Sequence, residues 1–221
     1  MIFVNFKTYQ QGTGGETLKL VKLLENVADD LQLKVIPVVQ ASDVKEAVLS
    51  SALEIWTQHI DPVEFGAHTG SVIPEAVFED GAVGTFLNHS EKKFDSFETL
   101  KKAHDRAQQV GLKTLVFVAN IDELKKFMSL NPTYIAYEPP ELVGSKTTSV
   151  AKAKPEVVKE AVELAREKGL PLIVGAGIKS HEDYSKSLEF GAAGIAVASS
   201  IVAAKDAERE LRELVEGVEE K

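Results

Sequence analysis

The chain reads as an α/β protein of the closed (β/α)8 barrel class. Three observations predict this. Short apolar runs alternate with amphipathic helical patterns eight times along the 221 residues. The runs are continuously apolar, as strands of a parallel sheet covered on both faces must be. No linker-like or low-complexity stretch interrupts the alternation. A single barrel domain over residues 1–221 is therefore expected, with trimmed loops and helices because the chain is short for eight units. An open doubly wound sheet is the alternative that the same pattern allows.

The elements follow in order. Ile2 to Phe6 is a β-branched and aromatic run, read as the first strand. Alternation across a strand puts Asn5 and Lys7, at its end, on one face. Gly12, Gly14 and Gly15 make a loop, and the helix beyond it carries Val21, Leu24, Ala28 and Leu31 on one stripe. Leu33 to Val39 is the second strand, after which Ser42 is expected to cap a short helix holding Val44, Ala47 and Val48. Ile55-Trp56-Thr57 is the third. Asp61 to Ser71 is a long loop containing Gly66, His68, Thr69 and Gly70, and loops of this length in compact domains commonly serve function or an interface. Pro74 suits a first helical turn.

Val83 to Leu87 is the fourth strand and ends in Asn88-His89-Ser90-Glu91. The following helix carries Phe97, Leu100, His104, Ala107 and Val110, apolar except for His104. Thr114 to Val118 is the fifth strand, with a short helix around Leu124 and Phe127 after it. Thr133 to Tyr137 is the sixth. It stops at Glu138, which Pro139 pushes towards an extended backbone, and Pro140 stiffens the loop that begins there. Pro155 opens a helix that runs to Gly169. Leu172-Ile173-Val174 is the seventh strand and leads into Gly175-Ala176-Gly177. Ser180 and Asp183 have the spacing of a capping box. Gly194 to Val197 is the eighth strand, followed by Ala198-Ser199-Ser200 and a last helix carrying Ala207, Leu211, Leu214 and Val218.

Composition narrows the function classes. A net charge of −9 argues against nonspecific nucleic-acid binding. The absence of cysteine excludes disulfides and thiolate metal sites. Met1-Ile2-Phe3-Val4 shows no leader pattern, and no apolar stretch has the length of a membrane span. A cytoplasmic protein with no membrane partner is expected. His59, His104 and His181 are assigned to packing or solvent, because nothing brings three histidines together as a metal site requires.

In a barrel all eight strand C-termini meet at one mouth, where chemistry sits. Lys7, His89, Glu138, Gly175-Ala176-Gly177 and Ala198-Ser199 fall at that level. Taken singly each has a bland reading: a solvated lysine, a structural histidine, a strand ending in a solvated glutamate, a tight turn, an N-cap. Together they supply a cation, an imidazole, a carboxylate and two small-residue turns, which suits a small phosphorylated carbonyl compound. A carboxylate in a dry site can take a proton from carbon next to a carbonyl. A neutral imidazole can donate to the oxygen as it gains charge, and a helix starting just after His89 would keep the ring neutral. Turns without bulky side chains let backbone N–H groups approach a phosphate.

Asn5-Phe6-Lys7, Asn88-His89-Ser90-Glu91, Glu138-Pro139-Pro140-Glu141-Leu142-Val143-Gly144, Gly175-Ala176-Gly177 and Ala198-Ser199 together resemble triosephosphate isomerase, in particular its shortened archaeal branch. The resemblance spans the chain in the family's order, and its specificity lies in the His-Ser-Glu loop paired with Glu-Pro-Pro-Glu-Leu-Val-Gly. It implies interconversion of dihydroxyacetone phosphate and glyceraldehyde 3-phosphate through an enediolate, in glycolysis and gluconeogenesis. It makes Glu138 the base and His89 the electrophile. Lys7 would neutralise substrate charge with Asn5 beside it, and backbone groups at Val143, Gly144, Gly177, Ala198 and Ser199 would hold the phosphate. Glu91 would support the site. Loop 66–71 would enter a partner subunit, with Thr69 near the partner's site, in a homodimer or homotetramer. No cofactor or metal is implied.

Ser145-Lys146-Thr147 departs from the family, where a second glycine is expected in the lid, and so bears on closure and rate. Phe117-Val118-Ala119-Asn120 lacks a cysteine that many relatives carry, which reads as packing. Two other functions compete: another phosphosugar or indole-pathway isomerase, whose acid and base lie on other strands, and a noncatalytic phosphate-binding barrel.

Overall fold

In a computed structural model, described over residues 1–139, 151 and 155–217, eight parallel strands close into a barrel in simple sequence order. The strands are β1 (Ile2–Asn5), β2 (Val35–Val39), β3 (Trp56–Thr57), β4 (Gly84–Leu87), β5 (Lys113–Val118), β6 (Tyr134–Tyr137), β7 (Leu172–Val174) and β8 (Gly194–Val197). Closure comes from β8 pairing with β1, with Phe3 opposite Ala196. Among the described residues no open sheet edge is left, so the doubly wound alternative is set aside.

The helices of the outer layer are α1 (Gly15–Asp30), α2 (Val44–Ser50), α3 (Pro74–Glu79), α4 (Phe97–Val110), α5 (Ile121–Phe127), α6 (Pro155–Glu167), α7 (His181–Glu189), α8 (Ser199–Val202) and α9 (Ala207–Glu216). Several start as the residue types dictate. Pro74 opens α3 at its first turn, and the Ser180 and Asp183 capping box starts α7. Ser42 does not cap α2. It lies within a 3-10 turn, Ala41–Asp43, that leads directly into the helix. The buried Asp43 carboxylate is also turned away, to the Gly14 N–H at 3.3 Å and the Thr17 hydroxyl at 3.2 Å. It ties the loop after β2 to the start of α1.

The pleat sorts the strands' side chains into two cores. Ile2 and Val4 pack with Val21 and Leu24 in the outer layer. Phe3, Ile36, Val38, Trp56, Phe86, Leu115, Phe117, Ala136 and Ile173 form the second cluster, inside the barrel. Its floor is aromatic: Phe3 meets Trp56 edge to face at 5.1 Å and Tyr134 at 5.5 Å. Trp56 fits because residue 84 is glycine, where a Cβ would lie 2.6 Å from the indole. The period of two carries this inner face upward. Two residues beyond Phe3, Phe86, Ala136 and Ile173 stand Asn5, Asn88, Glu138 and Gly175, so the interior column ends in polar or missing side chains at the mouth.

Among the described residues no helix is long and apolar enough to cross a membrane. His104 lies on the buried face of α4, 1% exposed, with burial holding its ring in the neutral form.

Candidate active site

A cavity opens at the C-terminal ends of the strands. Asn5, Lys7, His89, Glu138, Gly177, Ala198 and Ser199 all line it. The residues expected at the mouth are therefore brought together, apart from Val143 and Gly144. These two and the lid tip Ser145-Lys146-Thr147 lie outside the described residues.

Lys7 does not simply continue the face of β1. The strand stops at Asn5 and Lys7 takes φ +47°, a left-handed conformation uncommon for a residue with a side chain. Its neighbours hold it there. The Lys7 N–H donates to Asn5 Oδ1 at 3.0 Å, and Gln58 Nε2 donates to the Lys7 carbonyl at 2.8 Å. Asn5 thus shapes the turn as well as lining the cavity. Gln58 comes directly after β3, at the level of the other functional residues, and that position was the signal available for it. The Lys7 ammonium reaches Glu91 Oε1 at 2.7 Å.

His89 follows Asn88, which sits at φ +62° just past β4. Asn88 donates from Nδ2 to the Phe117 carbonyl at 3.1 Å and accepts the Phe94 N–H at 3.2 Å, latching the turn to β5. The His89 ring stands edge to face on Phe117 at 4.9 Å. Nδ1 accepts the Glu91 N–H at 3.1 Å, which assigns the ring proton to Nε2. The expected helix just after His89 is absent. A turn closed by the Lys92 N–H on the His89 carbonyl at 2.8 Å stands there, and α4 begins only at Phe97. The ring is kept neutral by burial and then by the Lys7 charge, which together bring its pKa down to about 4 against the opposing pull of Glu91.

Glu138 is 8% exposed, with Oε2 at 3.4 Å from His89 Nε2. The Ser90 hydroxyl donates to the same oxygen at 3.2 Å. Burial pushes the carboxyl up to about 7, against the lowering effects of Lys7, Ser90 and the Ala176 N–H. Gly175 gives the carboxylate its room, since a Cβ there would lie 2.9 Å from Oε1. Ala176 at φ +68° and Gly177 at φ +75° turn the chain sharply after β7. Ser90 and Gly175 lie within the strand-end motifs, and only the fold shows what each touches.

Gly177, Ala198 and Ser199 line the side of the cavity at the ends of β7 and β8. Ala198 is the N-cap of α8 and Ser199 its first helical residue, so Ser199 is not a side-chain cap. First-turn N–H groups have no intrahelical acceptor and are available to an anion. Glu91 is half exposed and touches both Lys7 and His89. Thr69 lies away from this cavity, in an exposed loop whose base is pinched by the Asp61 N–H on the Val72 carbonyl and the Val72 N–H on Asp61 Oδ2, both at 2.8 Å. His59 packs on Phe94 at 5.2 Å, and His181 caps contacts with Leu214 and Ser185. No three His, Asp or Glu side chains converge as a metal site among the described residues.

A family model described as triosephosphate isomerase matches residues 1–217. The triosephosphate isomerase of Archaeoglobus fulgidus is 39% identical over 217 residues, covering 97% of this chain and 96% of that protein. That of Methanocaldococcus jannaschii is 36% identical over 217 residues, covering 97% and 98%. The crystal structure of triosephosphate isomerase from Bartonella henselae superposes with a TM-score of 0.72 at 18% identity, over 96% of this chain and 97% of that one, which speaks to the fold alone.

Proposed function

The chain belongs to the triosephosphate isomerase family and interconverts dihydroxyacetone phosphate and D-glyceraldehyde 3-phosphate, a step of glycolysis and gluconeogenesis; from that premise we propose how its residues divide the work. Glu138 is the base. It removes a proton from C1 of dihydroxyacetone phosphate and returns it to C2, passing through an enediolate. His89 donates its Nε2 proton as a hydrogen bond to whichever oxygen is gaining charge. Lys7 offsets the charge of the bound phosphate and enediolate, with Asn5 holding its turn. Backbone N–H groups at Gly177, Ala198 and Ser199 seat the phosphate, and Val143 and Gly144 complete that seat from outside the described residues. The family is itself the standing example of a raised glutamate base paired with a neutral histidine, so these roles are the family's.

The observation that carries this reading is the contact of the two groups with opposite shifts. A dry carboxylate raised to about 7 stands 3.4 Å from an imidazole lowered to about 4. At neutral pH the first can accept a proton and the second donates a hydrogen bond without carrying a charge. Glu91 supports both Lys7 and His89. The exposed loop 66–71, with Thr69 in it and Phe65 73% exposed beside it, is proposed to enter a second copy of the chain in a homodimer or homotetramer. Residues 1–221 are proposed to act as one barrel domain in the cytoplasm.

A coupled assay tests the reading. Purified protein given glyceraldehyde 3-phosphate should form dihydroxyacetone phosphate rapidly, read through an added reductase, and Glu138→Gln should remove that turnover while the protein stays folded. Turnover surviving in Glu138→Gln would take the base role away from Glu138.

A further inference from the structure

His89 does not point where its strand would send it. The pleat of β4 sets Phe86 inside the barrel and Leu87 in the outer layer. Two more extended residues would put Asn88 inside and His89 outside. His89 instead lines the mouth cavity and packs on Phe117, a residue of the inner cluster. The alternation is reversed at Asn88, whose φ of +62° is left-handed. Asn is one of the few residues with a side chain that take this conformation readily, because its short amide can bond nearby backbone. Here the residue is 6% exposed and the amide is bonded at both ends. Nδ2 donates to the Phe117 carbonyl at 3.1 Å and Oδ1 accepts the Phe94 N–H at 3.2 Å. Turning the amide over would set donor against donor and acceptor against acceptor, so these two partners fix its orientation.

The bond to Phe94 closes a loop around working groups. Between Asn88 and Phe94 lie His89, Ser90 and Glu91. His89 Nε2 stands 3.4 Å from Glu138 Oε2, the Ser90 hydroxyl donates to that oxygen at 3.2 Å, and Glu91 holds the Lys7 ammonium at 2.7 Å. No helix supports this stretch, since α4 begins only at Phe97. We propose that Asn88 is a positioning residue for the isomerisation: its doubly bonded amide holds the left-handed turn that brings His89 into the cavity and aims Nε2 at the reacting oxygens. This rests on the reading of His89 as the electrophile. Asn88 acts through His89, and the proposed phosphate seat at Gly177, Ala198 and Ser199 belongs to other strands. Its loss is therefore expected in kcat and not in binding.

The test uses Asn88→Gly, which accepts the left-handed backbone but removes both amide bonds. With glyceraldehyde 3-phosphate as substrate, kcat should fall by about 10- to 100-fold, the scale of a misplaced catalytic group. KM and competitive inhibition by inorganic phosphate should stay within about twofold of wild type. Nitrogen NMR of the labelled His89 ring should move from the single Nε2–H form towards a mixture of tautomers. Asn131 is a second left-handed asparagine, exposed and far along the chain in the turn before β6, and Asn131→Gly should leave kcat at the wild-type value. Wild-type kcat in Asn88→Gly would overturn the proposal. So would a fall in kcat matched by equal weakening of KM and phosphate inhibition, or an equal fall in Asn131→Gly, since either makes the effect merely structural. Should Asn88→Gly not fold, Asn88→Asp replaces it. Asn88→Asp keeps the acceptor for Phe94 and loses the donor to Phe117, so kcat should drop by about tenfold with KM unchanged, and wild-type kcat would again overturn the proposal. Normal turnover in His89→Gln would instead remove the electrophile reading itself, a failure separate from that of Asn88.

Discussion

At the floor of the barrel Phe3, Trp56, Phe86 and Tyr134 pack ring against ring in strand backbone, whereas 2 to 4 residues beyond Phe3, Phe86 and Tyr134 on the same strands Lys7 and Asn88 take left-handed φ values and Asn5, His89 and Glu138 are buried polar groups. Both ends are dry, but dryness has opposite consequences. Below, it is the source of stability, since apolar area is removed from water. Above, it works against stability by disfavouring charge on Glu138 and His89, and the same penalty tunes them for proton transfer. The barrel's lower core thus holds in place groups that would not choose their own positions.

Substitutions that separate the two ends sharpen this. The largest expected effect is His89→Gln at the mouth. Losing a preorganised donor at the developing oxyanion should lower kcat by about 10²- to 10³-fold, while thermal stability changes little because one buried polar side chain replaces another. Normal turnover would contradict the electrophile role. Trp56→Ala at the floor should do the reverse. It should cost about 3–5 kcal/mol of stability by emptying the aromatic floor, with kcat of the folded fraction near wild type. Urea melts and active-site titration together would check it, and a turnover loss as large as that of His89→Gln would break the division between the two ends. Gly175→Ala lies between them. The new Cβ would meet Glu138 Oε1 at 2.9 Å and must displace the carboxylate. A shift of this kind should lower kcat by about tenfold or more, with little change in the melting temperature.

The sequence carried the architecture well because the signals are periodic and local. Continuous apolar runs such as Val35–Val39 and Leu172–Val174 and the Ser180 and Asp183 spacing all depend on near neighbours. It also carried the strand-end residues, because a barrel sends every strand end to one mouth. What it could not carry depends on contacts between distant strands. Gln58 reaches the Lys7 carbonyl across 51 positions, and Ser90 reaches Glu138 across 48. The cause of the neutral His89 ring was likewise hidden: a helix dipole was expected, but burial and Lys7 do the work. Ser42 failed as a cap because a 3-10 turn already ran through it.

The pH dependence of kcat/KM tests the dry carboxylate most directly. With its folded pKa raised from 4.5 to about 7, Glu138 is protonated and inactive as a base on the acid side, so kcat/KM should fall about tenfold per unit below pH 7 and level off above it. Linkage has a matching sign. A carboxyl raised on folding stabilises the protein fully below the unfolded pKa, and that contribution is lost as pH rises through the folded one, so Glu138→Gln should gain stability relative to wild type between about pH 5 and 8. An acid limb near pH 4.5, as for a solvated glutamate, would contradict the account of the mouth.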